Sequence, residues 1–251
     1  PRGASFALGA RASRIERDGP GWVVVRDDGM RERCDAVVLA TNVPGLRALA
    51  AASRASLDAT LCDRIDSLDV TLPFAVLRLF LDRPLRDGRA PFAGTAGVGI
   101  LDNVSTYELI EDESRAWAER ANGSIVELHA YGVPADMTEP EIRRELLAGW
   151  HRVDPDAAHA RVLEDRFLLR RDCPSFAPGS HARRPEVTTP HGTLVLCGDY
   201  VKLPFASALM ERAVTSGFMA ANALARPWGL REEPIVTGPR RGMLARLVAS
   251  P

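Results

Sequence analysis

A short run near the end of the chain, Leu196-Cys197-Gly198-Asp199, carries the residues best placed for chemistry. An apolar stretch over 193–197 predicts a strand, and residues after Pro204 predict a helix to Ala225 whose first turn holds the proline. Between them, Gly198 permits close backbone approach and Asp199 offers a carboxylate to ligand hydroxyls. The helix start adds unpaired N–H groups and a positive dipole end, suited to a phosphate or an electron-rich ring edge. The same pattern also reads as an ordinary strand-to-helix connection capped by aspartate. Other chemistries lack their motifs: there is no G-x-S-x-G elbow and no G-x-x-x-x-G-K-[ST] loop. The five histidines show no metal-ligand spacing, and no metal is expected. Gly94–Gly99 (GTAGVG) lacks the G-x-G-x-x-G order and reads as loop. No acid–base dyad stands out, which leaves the catalytic residues unassigned.

The elements that must hold this run are legible to differing degrees. Residues 5–15 and 22–26 read as strands, and Asp27-Asp28-Gly29 as a hairpin turn. The apolar run 35–41 (DAVVLAT) predicts a strand buried on both faces, and Pro44-Gly45 opens a helix to Ala52. Further strands are expected at 71–81, 124–131 and 160–170, with loops at 87–103 and 172–190. A charged helix is expected over 111–120, and the capping box from Thr138 to Glu141 starts another through Arg152.

Composition narrows the class. The 251 residues carry 32 basic and 33 acidic side chains for a net charge of −1, which speaks against a nucleic-acid binder. All the basic residues but Lys202 are arginine. Hydrophobic residues make up 46%, enough for a core. The four cysteines form no C-x-x-C pair and read as thiols, so a reducing, cytoplasmic setting is expected. No leader pattern opens the chain and no apolar window is long enough to span a bilayer.

The run 196–222 (LCGDYVKLPFASALMERAVTSGFMAAN) resembles the C-terminal flavin motif of FAD-dependent amine oxidases and carotenoid desaturases. Its Ala-Leu-Met-Glu-Arg-Ala and Ala-Ala-Asn elements resemble the isorenieratene synthase type, the carotenoid aromatic-ring synthases. Residues 11–17 with the following hairpin, the DAVVLAT strand, the Phe176-Ala177-Pro178-Gly179-Ser180 loop and Arg184-Pro185 resemble further parts of those enzymes. The resemblance implies a mixed α/β fold, the C-terminal part of a two-domain flavoenzyme. It divides the chain into a late part of the FAD domain (1–55), a substrate domain (56–190), the final FAD motif (191–226) and an extended tail (227–251). It implies FAD as cofactor, with Asp199 and Gly198 toward the ribityl or pyrophosphate region. Met210, Glu211 and Ala213 would lie under the ring system, Ala12 at the adenine, and Ala40 and Thr41 at the strand end. Glu211 is alternatively a surface partner of Arg212 or Arg183, and Met210 core filler. The substrate implied is a long apolar carotenoid, desaturated with or without methyl migration to an aromatic ring, reached by peripheral membrane contact. A flavin oxidase acting on a small substrate, or an inactive fragment, are the alternatives. These 251 residues lack the G-x-G-x-x-G unit, so the resemblance implies a missing N-terminal FAD-domain segment as partner.

Overall fold

The computed structural model describes residues 3–86 and 88–237 and divides into two compact units, 1–70 with 174–251 and 71–173. The sequence reading drew its boundaries at 55/56 and 190/191. The expected tail lies outside the described residues from 238 on.

The first unit opens with a three-stranded antiparallel meander, β1 (Ala12–Asp18), β2 (Gly21–Arg26) and β3 (Arg31–Cys34). Tight glycine turns set its register, because Gly19 and Gly29 take positive φ at the two reversals. The first strand is shorter than the sequence suggested: residues 5–11 pair with nothing regular, and a bulge interrupts pairing between Ala12 and Arg14. Serines hold the meander to the next helix, where Ser53 Oγ accepts from the Ile15 N–H at 2.9 Å. The run DAVVLAT supplies only a three-residue strand, β4 (Val37–Leu39), and Val38 is 44% exposed, so it is not buried on both faces. Helix α1 (Val43–Ala52) follows, with Asn42 Oδ1 accepting from the Gly45 N–H at 3.0 Å. Helix α2 (Ala59–Asp66), unremarked in the sequence, is capped the same way by Asp58. These helices pack Leu46, Ile65 and Cys62 against Trp22 and Ile15.

The second unit is a five-stranded antiparallel sheet flanked by two helices. Strands β5 (Phe74–Leu81), β6 (Phe92–Gly94), β7 (Asn103–Thr106), β8 (Ser124–Ala130) and β9 (Val162–Arg170) lie in the order β6-β7-β8-β5-β9. β6 falls inside the stretch expected to be loop, held by only three pairs to β7. Helix α3 (Asp112–Ala121) matches the charged segment. Helix α4 (Glu139–Val153) begins at the capping box, with Glu141 Oε2 accepting from the Thr138 N–H at 2.8 Å. Alternation splits the sheet's faces. Leu77, Leu79, Leu81, Val126 and Leu128 join Ile142, Leu146 and Trp150 of α4 in one core, leaving Arg78, Glu127 and His129 on the opposite face.

The second unit depends on a glycine at its tightest approach. Asn122 ends α3 in the left-handed conformation, and a side chain on Gly123 would stand 2.3 Å from the Leu81 carbonyl oxygen. Gly123→Ala is expected to destabilise this unit by about 2 kcal/mol. Gly132→Ala, where nothing lies within 4 Å, should change stability by less than about 0.5 kcal/mol. Urea denaturation of both variants measures the contrast; equal losses would discard it.

Candidate functional site

The first unit completes itself late in the chain. Strand β10 (Leu194–Leu196) lies parallel to β4 in register Leu194↔Val37 to Leu196↔Leu39, and all three of its residues are buried. Parallel pairing brings the two C-terminal ends to one edge. The Cys197 N–H donates to the Leu39 carbonyl at 3.0 Å, so exposed Ala40 and Thr41 stand beside Gly198. Gly198 has φ +147, and a side chain there would lie 2.5 Å from the Tyr200 ring. That ring is wholly buried, its hydroxyl 3.0 Å from the Cys197 carbonyl and 3.2 Å from that of Leu39. Burial pushes the Tyr200 phenol far above its ordinary value, so it stays a neutral donor.

The final helix, α5 (Leu209–Ala225), starts five residues later than expected, and Pro204 lies outside it. Arg212 is the physical reason. Its guanidinium, only 5% exposed, donates through Nε to the Asp199 carbonyl at 2.7 Å. Its other nitrogens reach the carbonyls of Ser207 and Val201. Carbonyls held this way cannot join a helix, and residues 199–207 form a loop wrapped around the guanidinium. Arg212 is therefore no surface partner for Glu211, whose carboxylate makes no ion pair among the described residues. A second buried guanidinium, Arg184, donates to the Ser175 carbonyl at 2.7 Å and lies 3.9 Å over the Phe176 ring. Desolvation lowers the pKa of both arginines, and the charge of Arg212 adds to the effect on Arg184. Ser216 closes the arrangement, its Oγ accepting from the Gly198 N–H at 2.8 Å.

The sequence-chosen residues separate into groups. Ala40, Thr41, Gly198 and Asp199 meet at the strand ends, and half-buried Ala213 sits one turn before Ser216 on the helix against them. Met210 and Glu211 occupy the first turn of α5, where Met210 is 77% exposed rather than core filler. Ala12 lies on the other sheet, at the bulged start of β1. No side chain caps this helix, and Leu209 takes a positive φ of 50 at its start. Sequence reasoning missed Arg212, Arg184 and Tyr200, since an arginine flanked by Glu211 reads as solvated. A hollow of about 650 Å³ lies away from the strand ends, beside Lys202, Met219, Asn222 and Arg226.

The second unit carries a polar cluster that the sequence reading did not assemble. Glu127 Oε1 accepts from Arg78 Nε at 2.6 Å and Oε2 lies 3.1 Å from His129 Nε2. Arg78 stacks 4.1 Å over the Tyr107 ring. Burial acts to raise the Glu127 pKa, but hydrogen bonds from His129, Tyr107 and Arg78 outweigh it and hold the carboxyl below its ordinary value. The available signal was the alternation Glu127-Leu128-His129-Ala130-Tyr131, which puts three polar side chains on one strand face. Among the described residues no group of three His, Cys, Asp or Glu could hold a metal ion.

Removing the Arg212 side chain orphans three carbonyls at once, each costing about 1–3 kcal/mol when left unpaired. Arg212→Met should cost at least about 3 kcal/mol, and Arg212→Lys should recover less than half of it, lacking the planar fork. Hydrogen exchange of the β10 amides gives the measurement; a loss under about 1 kcal/mol would dismiss the clamp.

Comparison with known proteins supplies the family. The model for flavin containing amine oxidoreductases matches residues 1–225. The carotenoid phi-ring synthase of Streptomyces griseus is 44% identical over 236 residues, 93% of this chain and 46% of the relative. The carotenoid phi-ring synthase of Chlorobaculum tepidum is 37% identical over 214 residues, 84% of this chain and 33% of the relative. The chain thus spans less than half the length of these curated relatives. Solved structures share the fold at low identity. A redesigned putrescine oxidase has a TM-score of 0.61 at 16% identity, covering 88% of this chain and 49% of its own. Reduced UDP-galactopyranose mutase has a TM-score of 0.64 at 10% identity, covering 91% and 48%. A strand ending in Gly-Asp, the helix packed against it and a family match running from the meander through that helix converge: the chain belongs to the flavin containing amine oxidoreductase family.

Proposed function

We propose that this chain is the C-terminal part of an FAD-dependent oxidoreductase acting on a carotenoid, desaturating an end ring and shifting a methyl group as the ring becomes aromatic. The observation that carries this reading is the 44% identity to a carotenoid phi-ring synthase over 93% of the chain. The likeness to putrescine oxidase, at 16% identity, concerns the fold and gives no support to a small amine substrate.

The residues present fit a flavin. The first turn of α5 is exposed and uncapped, so its N–H groups can meet an electron-rich ring edge. Gly198 leaves room for the buried Tyr200 ring behind the turn, and the Asp199 carboxylate beside it would accept from ribityl hydroxyls. Ala40 and Thr41 form a low rim beside them, while the Arg212 clamp holds the Asp199 backbone in place. Met210, Glu211 and Ala213 would hold the ring system from the start of α5, and Ala12 would hold the adenine. A bound flavin supplies two-electron oxidation. The protein's share is to hold the apolar substrate against it and to exclude water. The second unit, 71–173, serves as the substrate domain in this reading, and the flavin site is shared with an N-terminal segment carrying the dinucleotide-binding loop.

A carotenoid is insoluble in water, so we also propose delivery from a membrane surface. No helix among the described residues is long and apolar enough to cross a membrane. Exposed Phe92, Leu109 and Ile110 of the second unit offer apolar contact.

Flavin-loaded protein incubated with an electron acceptor that reoxidises the flavin, and with a carotenoid whose two cyclohexenyl end rings carry a geminal methyl pair, should yield an aromatic-ring product by chromatography and mass. Stoichiometric FAD with no conversion would overturn the substrate reading. Asp199→Ala should release FAD, read as loss of absorbance near 450 nm; retained FAD would exclude that residue's role. Flotation with anionic phospholipid vesicles should carry the protein upward, and protein left entirely at the bottom would remove the membrane proposal.

A further inference from the structure

Strand β9 is the last in the order β6-β7-β8-β5-β9, so one of its edges has no strand beside it among the described residues. Exposed edges are ordinarily blunted by short length, lysine, proline or a covering element. β9 runs for nine residues without lysine or proline, and all of them but half-buried Phe167 are exposed. Val162, Leu163, Leu168 and Leu169 are each between 37 and 48% exposed. Pairing with β5 is irregular only at one end, between Phe80 and Leu81, and residues 164–170 run in unbroken register with 74–80.

The side chains of this stretch sort by face. Asp165 is held from α4 by Arg143, whose Nη1 donates to Oδ1 at 2.7 Å, and the same guanidinium lies 4.7 Å over the Phe167 ring. On the other face Glu164 pairs with Arg166. Arg170 Nη1 donates to the Leu169 carbonyl at 3.2 Å, and the side chain has no carboxylate partner among the described residues. Taken in order, Glu-Asp-Arg-Phe-Leu-Leu-Arg is acidic at one end and basic at the other, with an aromatic ring at its centre. Such a segment complements itself when reversed.

We propose that β9 pairs edge to edge, antiparallel, with β9 of a second copy of this chain, joining two five-stranded sheets across a twofold axis at Phe167. A closed twofold pair presents the same patch from both sides, so residues equally far from the axis stand opposite one another. With the axis at Phe167, Glu164 stands opposite Arg170 of the second copy, Asp165 opposite Leu169 and Arg166 opposite Leu168. The two Phe167 rings form an aromatic cross-strand pair. Neighbouring axes are worse. At Asp165 or Arg166 that residue faces its own copy, and at Leu168 the two arginines 166 and 170 face each other. Like charges directly opposite are destabilising, so charge selects one register. The free N–H and C=O groups of the edge supply the backbone bonds, as when a peptide strand is added to a sheet. The pairing uses residues of the second unit alone and is independent of the function proposed above.

Sedimentation equilibrium of the 251-residue protein up to about 100 µM tests the pairing, since an interface of one strand pair makes a weak dimer. Wild type should pass from monomer to dimer as concentration rises. Glu164→Arg and Arg170→Glu should each weaken association about tenfold or more, because each sets like charges opposite at two places. An equimolar mixture of the two variants should associate within about threefold of wild type, since opposite charges then face at both places. Both sites are exposed, and unchanged circular dichroism shows each variant folded. Amide exchange of residues 164–170 should slow in step with dimer formation. Wild type that stays monomeric at that concentration overturns the proposal, and slow exchange of those amides in the monomer then gives the edge to another segment of the same chain. A dimer unmoved by either charge reversal, or a mixture that fails to associate, overturns it as well.

Discussion

The buried guanidinium of Arg212 is the constraint on which the first unit turns. It carries no salt-bridged carboxylate among the described residues and is satisfied instead by three backbone carbonyls, those of Asp199, Val201 and Ser207. A charge in that setting is costly unless all its donors are used, so the loop has one acceptable path around it. That path decides where α5 begins, how Gly198 and Asp199 are presented, and why Leu209 enters the helix in a left-handed conformation. Arg184 does the same for the preceding loop, and the two guanidinia share the Phe176 ring, at 3.9 and 5.4 Å. Backbone is thereby fixed without regular structure, which is what a site built from loop atoms requires.

The two units solve the problem of polar groups in opposite ways. In the first, arginines bond to backbone and leave the Gly-Asp edge open. In the second, Arg78 and Glu127 bond to each other across neighbouring strands, with Tyr107 and His129 taking up the remaining positions. A half-satisfied network on a sheet face would be worse than leucine, because unpaired polar groups in low dielectric lose more than they give. Every side chain in this cluster has a partner, and only the Tyr131 end opens to solvent.

What the sequence made legible was whatever rests on neighbours in the chain. Glycine turns fixed the meander, Thr138 and Glu141 fixed the start of α4, and the alternation of residues 124–131 fixed β8. The Gly198-Asp199 turn was legible because a strand, a glycine and a small-residue helix occur in unbroken order. Illegible were features made by distant residues. Pro204 is a good first-turn residue locally, yet Arg212 draws the carbonyls around it into a loop. Strand β6 has weak local pattern and exists through its pairing with β7. Arg212 looks solvated beside Glu211, and only packing places it at 5% exposure. The Glu127-His129-Tyr131 cluster was hidden for the opposite reason: its three residues are close in sequence, but the bond from Asn103 that gives Tyr131 its orientation comes from another strand.

Inserting one unit into another raises the question of what holds β4 to β10, since three residues of parallel pairing are weak by themselves. Joining them means closing a loop of roughly 150 residues, and the entropic cost of closure grows only as the logarithm of length. The fold lowers it further. The Thr71 N–H donates to the Cys173 carbonyl at 2.9 Å, so residues 71–173 begin and end at one point. Likewise the Ser175 N–H reaches the Asp69 carbonyl at 2.8 Å, with Val70 bridged to Pro174. Once those ends meet, the effective loop shrinks to roughly a third, worth about 1 kcal/mol. The remaining stabilisation comes from side chains that span the junction of the parallel pair. Tyr200 bonds both strands through one hydroxyl, and Trp22 ties the meander to Thr193 at 3.0 Å. The Gly198-Asp199 edge is therefore set by contacts across more than a hundred residues of chain, and its geometry follows from the whole first unit rather than from the motif alone.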